Sequence, residues 1–462
     1  MPSNYATNTG SLGLPTFVTL PRIPTIFMEW AALIPLISHL ANYGEDHQMV
    51  GELALSGHLK VALFPKLGYL DGIWRLLQDG ADFLDRANTK DEAKYIVWDV
   101  NWGSVFTRAN GAAISILTKY ALRRHPKPMA MPEKILAVPD HGSDGGSTAS
   151  PSGSLNERIS AKAPFRRHQT LHIISLNRKV HTSSIQSKFS QGVASRFGDI
   201  FYFILLVSAV VMFCMLGAYG SAAVVLSGLV SKTACRFLRA ERPAGYLENN
   251  ENHEACMLSS VHENSSTWYL YIGDRGVVDW LLNKTMLSTP SAGAILTGYF
   301  RLAHLLQLLA MTYVAAQKGV DGVALVSLML VNIALQWLFG HDRLAKQWLR
   351  EENVSIKAHT FEFSGRTPMI GAIHMISAAR DGSWMDTLLA PCPRLKVWID
   401  ELKCTAEMRT KLDRDYERLS PSDRVWVLLN SQLAIEASRI IMRKLIHERA
   451  MEDLHGQSSL TT

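Results

Sequence analysis

The sequence predicts a mainly α-helical, multi-pass integral membrane protein: two transmembrane helical hairpins flanked by helical cytosolic segments. Three observations predict it. Residues 200–231 contain no charged side chain at all, and residues 292–340 form a second long apolar block. Basic residues crowd the flanks of both. The mean hydropathy of +0.04 is the net of these apolar runs and polar tails, a pattern that a soluble globule does not produce.

The run IFYFILLVSAVVMFCMLGAYGSAAVVLSGLVS, as one helix, would extend about 48 Å, well beyond a hydrocarbon core of about 30 Å. We read it as a hairpin within residues 197–235 that turns in the small stretch from Gly217 to Ser221; one long span is the alternative. The second block divides at Gln317-Lys318-Gly319-Val320-Asp321-Gly322, a polar turn with two glycines. Both of its arms, AGAILTGYFRLAHLLQLLAMTYVAA and GVALVSLMLVNIALQWLFG, are read as spans.

Eight Lys or Arg and no acidic residue lie from Arg158 to Arg196, and Lys232, Arg236, Arg239, Arg242, Arg343, Lys346 and Arg350 follow the two blocks. Hairpins that dip in from the cytosol keep all these flanks and both termini cytosolic, in an endomembrane or the plasma membrane. The sequons at Asn264, Asn283 and Asn353 are then expected to stay unmodified.

Around the blocks, residues 1–138 are expected to form a helical cytosolic region, with residues 26–43 as an interfacial, surface or buried helix. Glu29, Pro35 and His39 make this stretch a poor span, although a crossing remains the alternative. Residues 139–196 read as a Gly/Ser/Pro-rich disordered linker leading into the basic juxtamembrane segment, whose charges suit anionic lipid headgroups. Residues 236–291 read as a cytosolic loop and residues 341–462 as a cytosolic helical segment. Within the latter, Ser420, Pro421 and Asp423 open a helix whose apolar residues recur on one face. That face calls for a partner: this segment, another part of the chain, a second copy or a cytosolic protein.

Five cysteines, odd in number, widely spaced and without a C-x-x-C pair, argue against a disulfide framework and a zinc site. Phosphate-binding, dinucleotide-binding, nucleophile-elbow and zinc-protease motifs are absent, and no cofactor or nucleic-acid partner is expected. Arg301 and His304 stand three residues apart on one helix, with Gln307 a turn further and Gln336 at the corresponding level of the following helix. These four are the candidate ligand-binding residues, for an anionic or carbonyl-bearing molecule; Arg301 snorkelling to the interface is the plainer alternative. Asp79, Asp82 and Asp85, and the acidic loop from Glu248 to Glu254, are weaker groupings that also fit solvated surfaces, and no metal is assigned.

The stretches from Glu241 to Lys284, Met311 to Val326 and Phe363 to Arg394 resemble a family of uncharacterised multi-pass integral membrane proteins of filamentous fungi. The resemblance covers roughly residues 197–402. It implies a fungal membrane protein in which WYLYIGDRG and FSGRTPMIGAI are cytosolic faces of one module. Functionally, the sequence fits a membrane anchor or interaction protein. The alternative is a membrane-bound enzyme acting on a lipid-like or isoprenoid substrate, in the manner of fungal secondary metabolism. A channel or transporter fits less well, since the apolar blocks hold a single charged pathway residue and no inverted repeat.

Overall fold

A computed structural model describes residues 24–41, 46–59, 68–89, 94–124, 127–132, 168–178, 200–288 (without 201, 239 and 252), 293–317, 320–377 (without 340), 382–402 and 415–458. Their centre is a seven-stranded mixed sheet, which overturns the expected mainly α-helical, multi-pass class. In chain order the strands are β1 (Ile96–Asp99), β2 (Val105–Thr107), β3 (Met129–Ala130), β4 (Gln169–Arg178), β5 (Ala255–Ser260), β6 (Thr267–Gly273) and β7 (Val354–Phe363). They lie side by side as β2-β1-β5-β6-β4-β7-β3. The β4/β6 and β7/β3 pairs are parallel and the remaining pairs antiparallel.

The period-2 alternation of each strand divides its side chains between two cores. Val97, Ile174, Leu176, Met257, Tyr271 and Ala358 point to one face. Helices α2 (Asp46–Ser56), α3 (Tyr69–Asp79), α4 (Ala81–Thr89) and α5 (Gly111–Arg124) cover it. Trp98, Leu171, Ile173, Leu258, Trp268, Leu270 and Phe361 point to the other. A sheet buried on both faces reads as short apolar runs rather than as alternation, so ACMLSS and TWYLYIG carry no strand signature of their own.

Helices α6 (Tyr202–Met215) and α7 (Tyr219–Cys235) follow from the first apolar block. The chain breaks between them at Leu216 to Ala218, where Gly217 takes φ 75°. Helix α8 (Arg275–Leu282) returns to the sheet, and α9 (Ala294–Gln317) and α10 (Val320–Phe339) make the second block. Helix α11 (His341–Glu351) leads into β7, and α12 (Arg366–Ile376), α13 (Pro393–Leu402) and α14 (Pro421–Ser458) close the second face. Ser420 accepts the Asp423 N–H at 3.1 Å and donates to its carboxylate at 2.7 Å, which caps α14.

Helix α1 (Thr25–Ala41), α6, α7, α9 and α10 form an apolar bundle beside the sheet. One described helix is long and apolar enough to cross a membrane: Ala294–Ala316, with only 22% of its most apolar window buried. This corrects the expectation of four spans. Tyr202–Met215 would extend about 21 Å, short of the roughly 30 Å hydrocarbon core, and Thr25–Ala41 is also short of it.

Residues 236–291, expected as a loop, supply β5, β6 and α8 to the sheet and its core. The segment expected to be linker and basic flank holds β4 at the centre of the sheet, while residues 139–167 and 179–196 lie outside the described residues. Helix α1 packs so closely on α10 that a Cβ on Gly322 would stand 2.4 Å from the Ala32 backbone nitrogen.

Candidate functional site

An open cleft of about 600 Å³ lies where the bundle meets the sheet region. Asp71 and Trp74 of α3 form one wall, and Gly298, Arg301, Leu302, His304 and Leu305 of α9 the other. Two features position them. Helix α3 is strongly amphipathic and turns Leu70, Ile73 and Leu76 into the core, leaving Asp71 and Trp74 on its other flank. On α9, Phe300 and Ala303 enter the same core, so Arg301, Leu302 and Leu305 face outward. Gly298 has open space where a side chain would stand, which widens the mouth.

The charges in the cleft are unequal in their commitments. Asp71 is held by Arg75 at 3.0 Å, and Arg75 also reaches Asp46 at 3.4 Å. Arg301 lies with its guanidinium carbon 5.7 Å from the centre of the Trp74 ring, and among the described residues it has no ion-pair partner. A planar guanidinium over an indole keeps its N–H edges directed sideways, where a carboxylate or phosphate can take two of them. Leu302 and Leu305 offer the cleft an apolar flank.

Along α9 the polar residues pass from surface to interior. Arg301 is exposed, His304 is half-buried and Gln307 is fully buried. Among the described residues, the Nδ1 atom of His304 and both amide atoms of Gln307 are buried without a hydrogen-bond partner. Three-residue steps retreat about 60° around a helix, which carries this row from the cleft toward the bundle. Of the four residues expected to bind a ligand, Arg301 and His304 line the cleft together and Gln307 lies one turn further in. Gln336 sits on α10, but its side chain is outside the described residues. Trp74 escaped sequence reasoning; the Asp71/Arg75 spacing beside it is a local signal of a helix edge, and it does not point to α9.

The bundle end at the sheet carries a collar of basic and aromatic residues. Lys232 stands 3.8 Å from the centre of the Tyr202 ring, and Ser231 shares a 2.7 Å hydrogen bond with Tyr299. Cys235 and Phe300, next to these, are already part of the core beneath the sheet. At the opposite end Gly220 meets Val314, and Asp321 receives the Ser221 N–H.

Other candidate groups are committed to structure. Arg275 pairs with Asp99 at 2.8 Å and with Glu251 at 3.3 Å, while Asp274 caps α8 by accepting the Val277 N–H. Gly80, at φ 56°, separates Asp79 from Asp82 and Asp85, and Arg86 takes Asp79 at 2.8 Å. Among the described residues no group of three or more His, Cys, Asp or Glu is placed to hold a metal ion. Asn264, Asn283 and Asn353 all belong to the sheet region, at the β5/β6 connection, the end of α8 and the start of β7.

No family model, curated protein or solved structure matches the chain.

Proposed function

We propose that this is a membrane-attached protein that holds its sheet region against a bilayer and binds an anionic amphiphile in the cleft between α3 and α9. The observation that carries this reading is Arg301. It is a cation without an ion-pair partner among the described residues, set over Trp74 and flanked by leucines, on the one described helix able to cross a membrane. A charged head suits the guanidinium, and the apolar part of the molecule next to it suits Leu302 and Leu305.

The bilayer part of the reading rests on exposure. A core helix of a soluble protein hides its apolar face, whereas α9 leaves Leu302, Leu305, Leu306 and Leu309 open. Helices α1, α6 and α10 do the same with Trp30, Ile204, Val211, Leu330 and Ile333. The collar of Tyr202, Lys232 and Tyr299 is the residue chemistry of a membrane–water interface, and it lies at the sheet end. From Tyr299 to Gln317 the helix rises about 27 Å, close to the thickness of a hydrocarbon core.

Fluorescence quenching tests the site. An anionic phospholipid with brominated acyl chains, titrated into detergent-solubilised protein, should quench a component of the tryptophan emission that Trp74→Phe removes. Arg301→Leu should weaken that binding about 10- to 100-fold, the loss of a charge-assisted contact of about 1.5–3 kcal/mol. Equal affinity in wild type and Arg301→Leu would overturn the assignment.

A further inference from the structure

Gln307 is a costly residue as it stands. Its amide carries two donors and an acceptor, it is fully buried, and neither polar atom has a partner among the described residues. Each such orphan costs about 1–3 kcal/mol, more than the net gain of an ordinary hydrogen bond. A leucine would fill the position without that cost. Its neighbours sharpen the point: Ala303, one turn before, belongs to the core beneath the sheet, and Met311, one turn after, belongs to the core of the bundle. The amide therefore stands at the join of two apolar cores, one turn from a residue that lines the cleft.

We infer that the amphiphile bound in the cleft carries an acyl carbonyl beneath its anionic head, and that Gln307 is the donor that recognises it. The inference rests on the cleft reading above and deepens it from charge to chemical class. Arg301 and Gln307 are six residues apart, an axial rise of about 9 Å, and the two three-residue steps turn Gln307 about 120° from Arg301 toward the bundle interior. A molecule with an anion at one level, a carbonyl about a helical turn or two deeper and an alkyl chain beyond matches the row from Arg301 through His304 to Gln307. Diacyl glycerophosphates have that layout, whereas a plain alkyl sulfate or alkyl phosphate has the anion and chain without the carbonyl. His304, midway between Arg301 and Gln307 along α9, lines the cleft. Its Nδ1 has no partner, so turning the ring to admit a ligand breaks no hydrogen bond at that nitrogen.

Competition against the brominated lipid separates the two readings. The probes are phosphatidic acid with ester-linked chains and its ether-linked counterpart, which keeps the phosphate and chains but lacks both carbonyls. Wild-type protein should bind the ester about tenfold more tightly, since one buried hydrogen bond is worth about 1.4 kcal/mol. Gln307→Leu should bring the ratio to about one, and it should leave the protein at least as stable because it removes an unpaired polar group. Arg301→Leu should weaken both lipids and keep the ratio. Equal binding of ester and ether by wild-type protein overturns the inference without any variant, and is the result expected if a water satisfies the amide. An ester preference that persists in Gln307→Leu overturns the assignment to Gln307. Unchanged affinity in Arg301→Leu, by contrast, removes the cleft reading on which both depend.

Discussion

Asp321 offers the sharpest test of how the bundle is held. Helix α7 begins at Tyr219, and its first intrahelical bond runs from the Ala222 N–H to the Ala218 carbonyl. The Ser221 N–H therefore has no acceptor within the helix. Asp321, one hundred residues along the chain, supplies it: Oδ1 accepts the Ser221 N–H at 2.8 Å, and its backbone carbonyl accepts the Ser221 hydroxyl at 2.7 Å. Asp321 is buried, and it faces the positive end of the α7 dipole. Removing the carboxylate loses a charged hydrogen bond of about 1.5–3 kcal/mol and a dipole term of about 0.3–1 kcal/mol. Asp321→Ala should thus cost about 3 kcal/mol, roughly a 100-fold change in the unfolding equilibrium. Asp321→Asn keeps an acceptor at the same reach and should cost about 1 kcal/mol. Equilibrium unfolding by sodium dodecyl sulfate in mixed micelles reads both. Two variants within about 0.5 kcal/mol of one another, the ordinary scatter of neutral substitutions, would refute the capping role.

Three further outcomes follow from the sheet region. Arg108 is buried without a carboxylate partner among the described residues, bonded to the Gly111 carbonyl and Ser115 and lying 4.0 Å over the Tyr95 ring, and its burial lowers the guanidinium pKa. A lysine keeps the charge and loses the fork, so Arg108→Lys should be less stable than Arg108→Met by about 2 kcal/mol in thermal unfolding. His172 stacks on Tyr269 and shares a 2.9 Å hydrogen bond with Thr360. Burial lowers its pKa, so the unfolded chain takes up the proton first: its contribution to stability is whole above the ordinary histidine pKa and is lost as pH falls below it. His172→Gln should flatten that part of the pH–stability curve; an unchanged slope below about pH 6.5 contradicts the assignment. Finally, burial pushes the Cys256 thiol up to about 12, so alkylation by iodoacetamide at pH 8 should wait for unfolding, as mass spectrometry of the Cys256 peptide would show.

Helices that declare themselves locally were readable from the sequence. Ser420, Pro421 and Asp423 announce α14 through chemistry confined to four residues, and α9 announces itself by length and hydropathy. The sheet was not readable, for two physical reasons. Strands buried on both faces lose their alternation, and their partners are remote: β4 pairs with β6 and β7, while β1 pairs with β5 across more than 150 residues. Strand β4 also lies inside a basic, acid-free segment, where charge counting conceals Leu171, Ile173, Ile174 and Leu176. The site divides in the same way. Spacing of three along one helix marks Arg301, His304 and Gln307, but nothing near residue 301 points to Trp74. Gln336, expected opposite them, has its side chain outside the described residues; the described part of α10 takes α1 as its main neighbour, backbone against backbone at Gly322 and Ala32.

The central claim is that α9 lies in lipid with its cleft end at the interface. Spin labels placed singly at Leu306, Leu309 and Val425 in reconstituted vesicles test it, because all three side chains are exposed and only the first two belong to α9. Oxygen partitions into the bilayer and a nickel chelate stays in water. Labels at 306 and 309 should relax strongly with oxygen and weakly with nickel, and the label at 425 should do the reverse; nickel access at 306 and 309 equal to that at 425 would place α9 in water and contradict the claim.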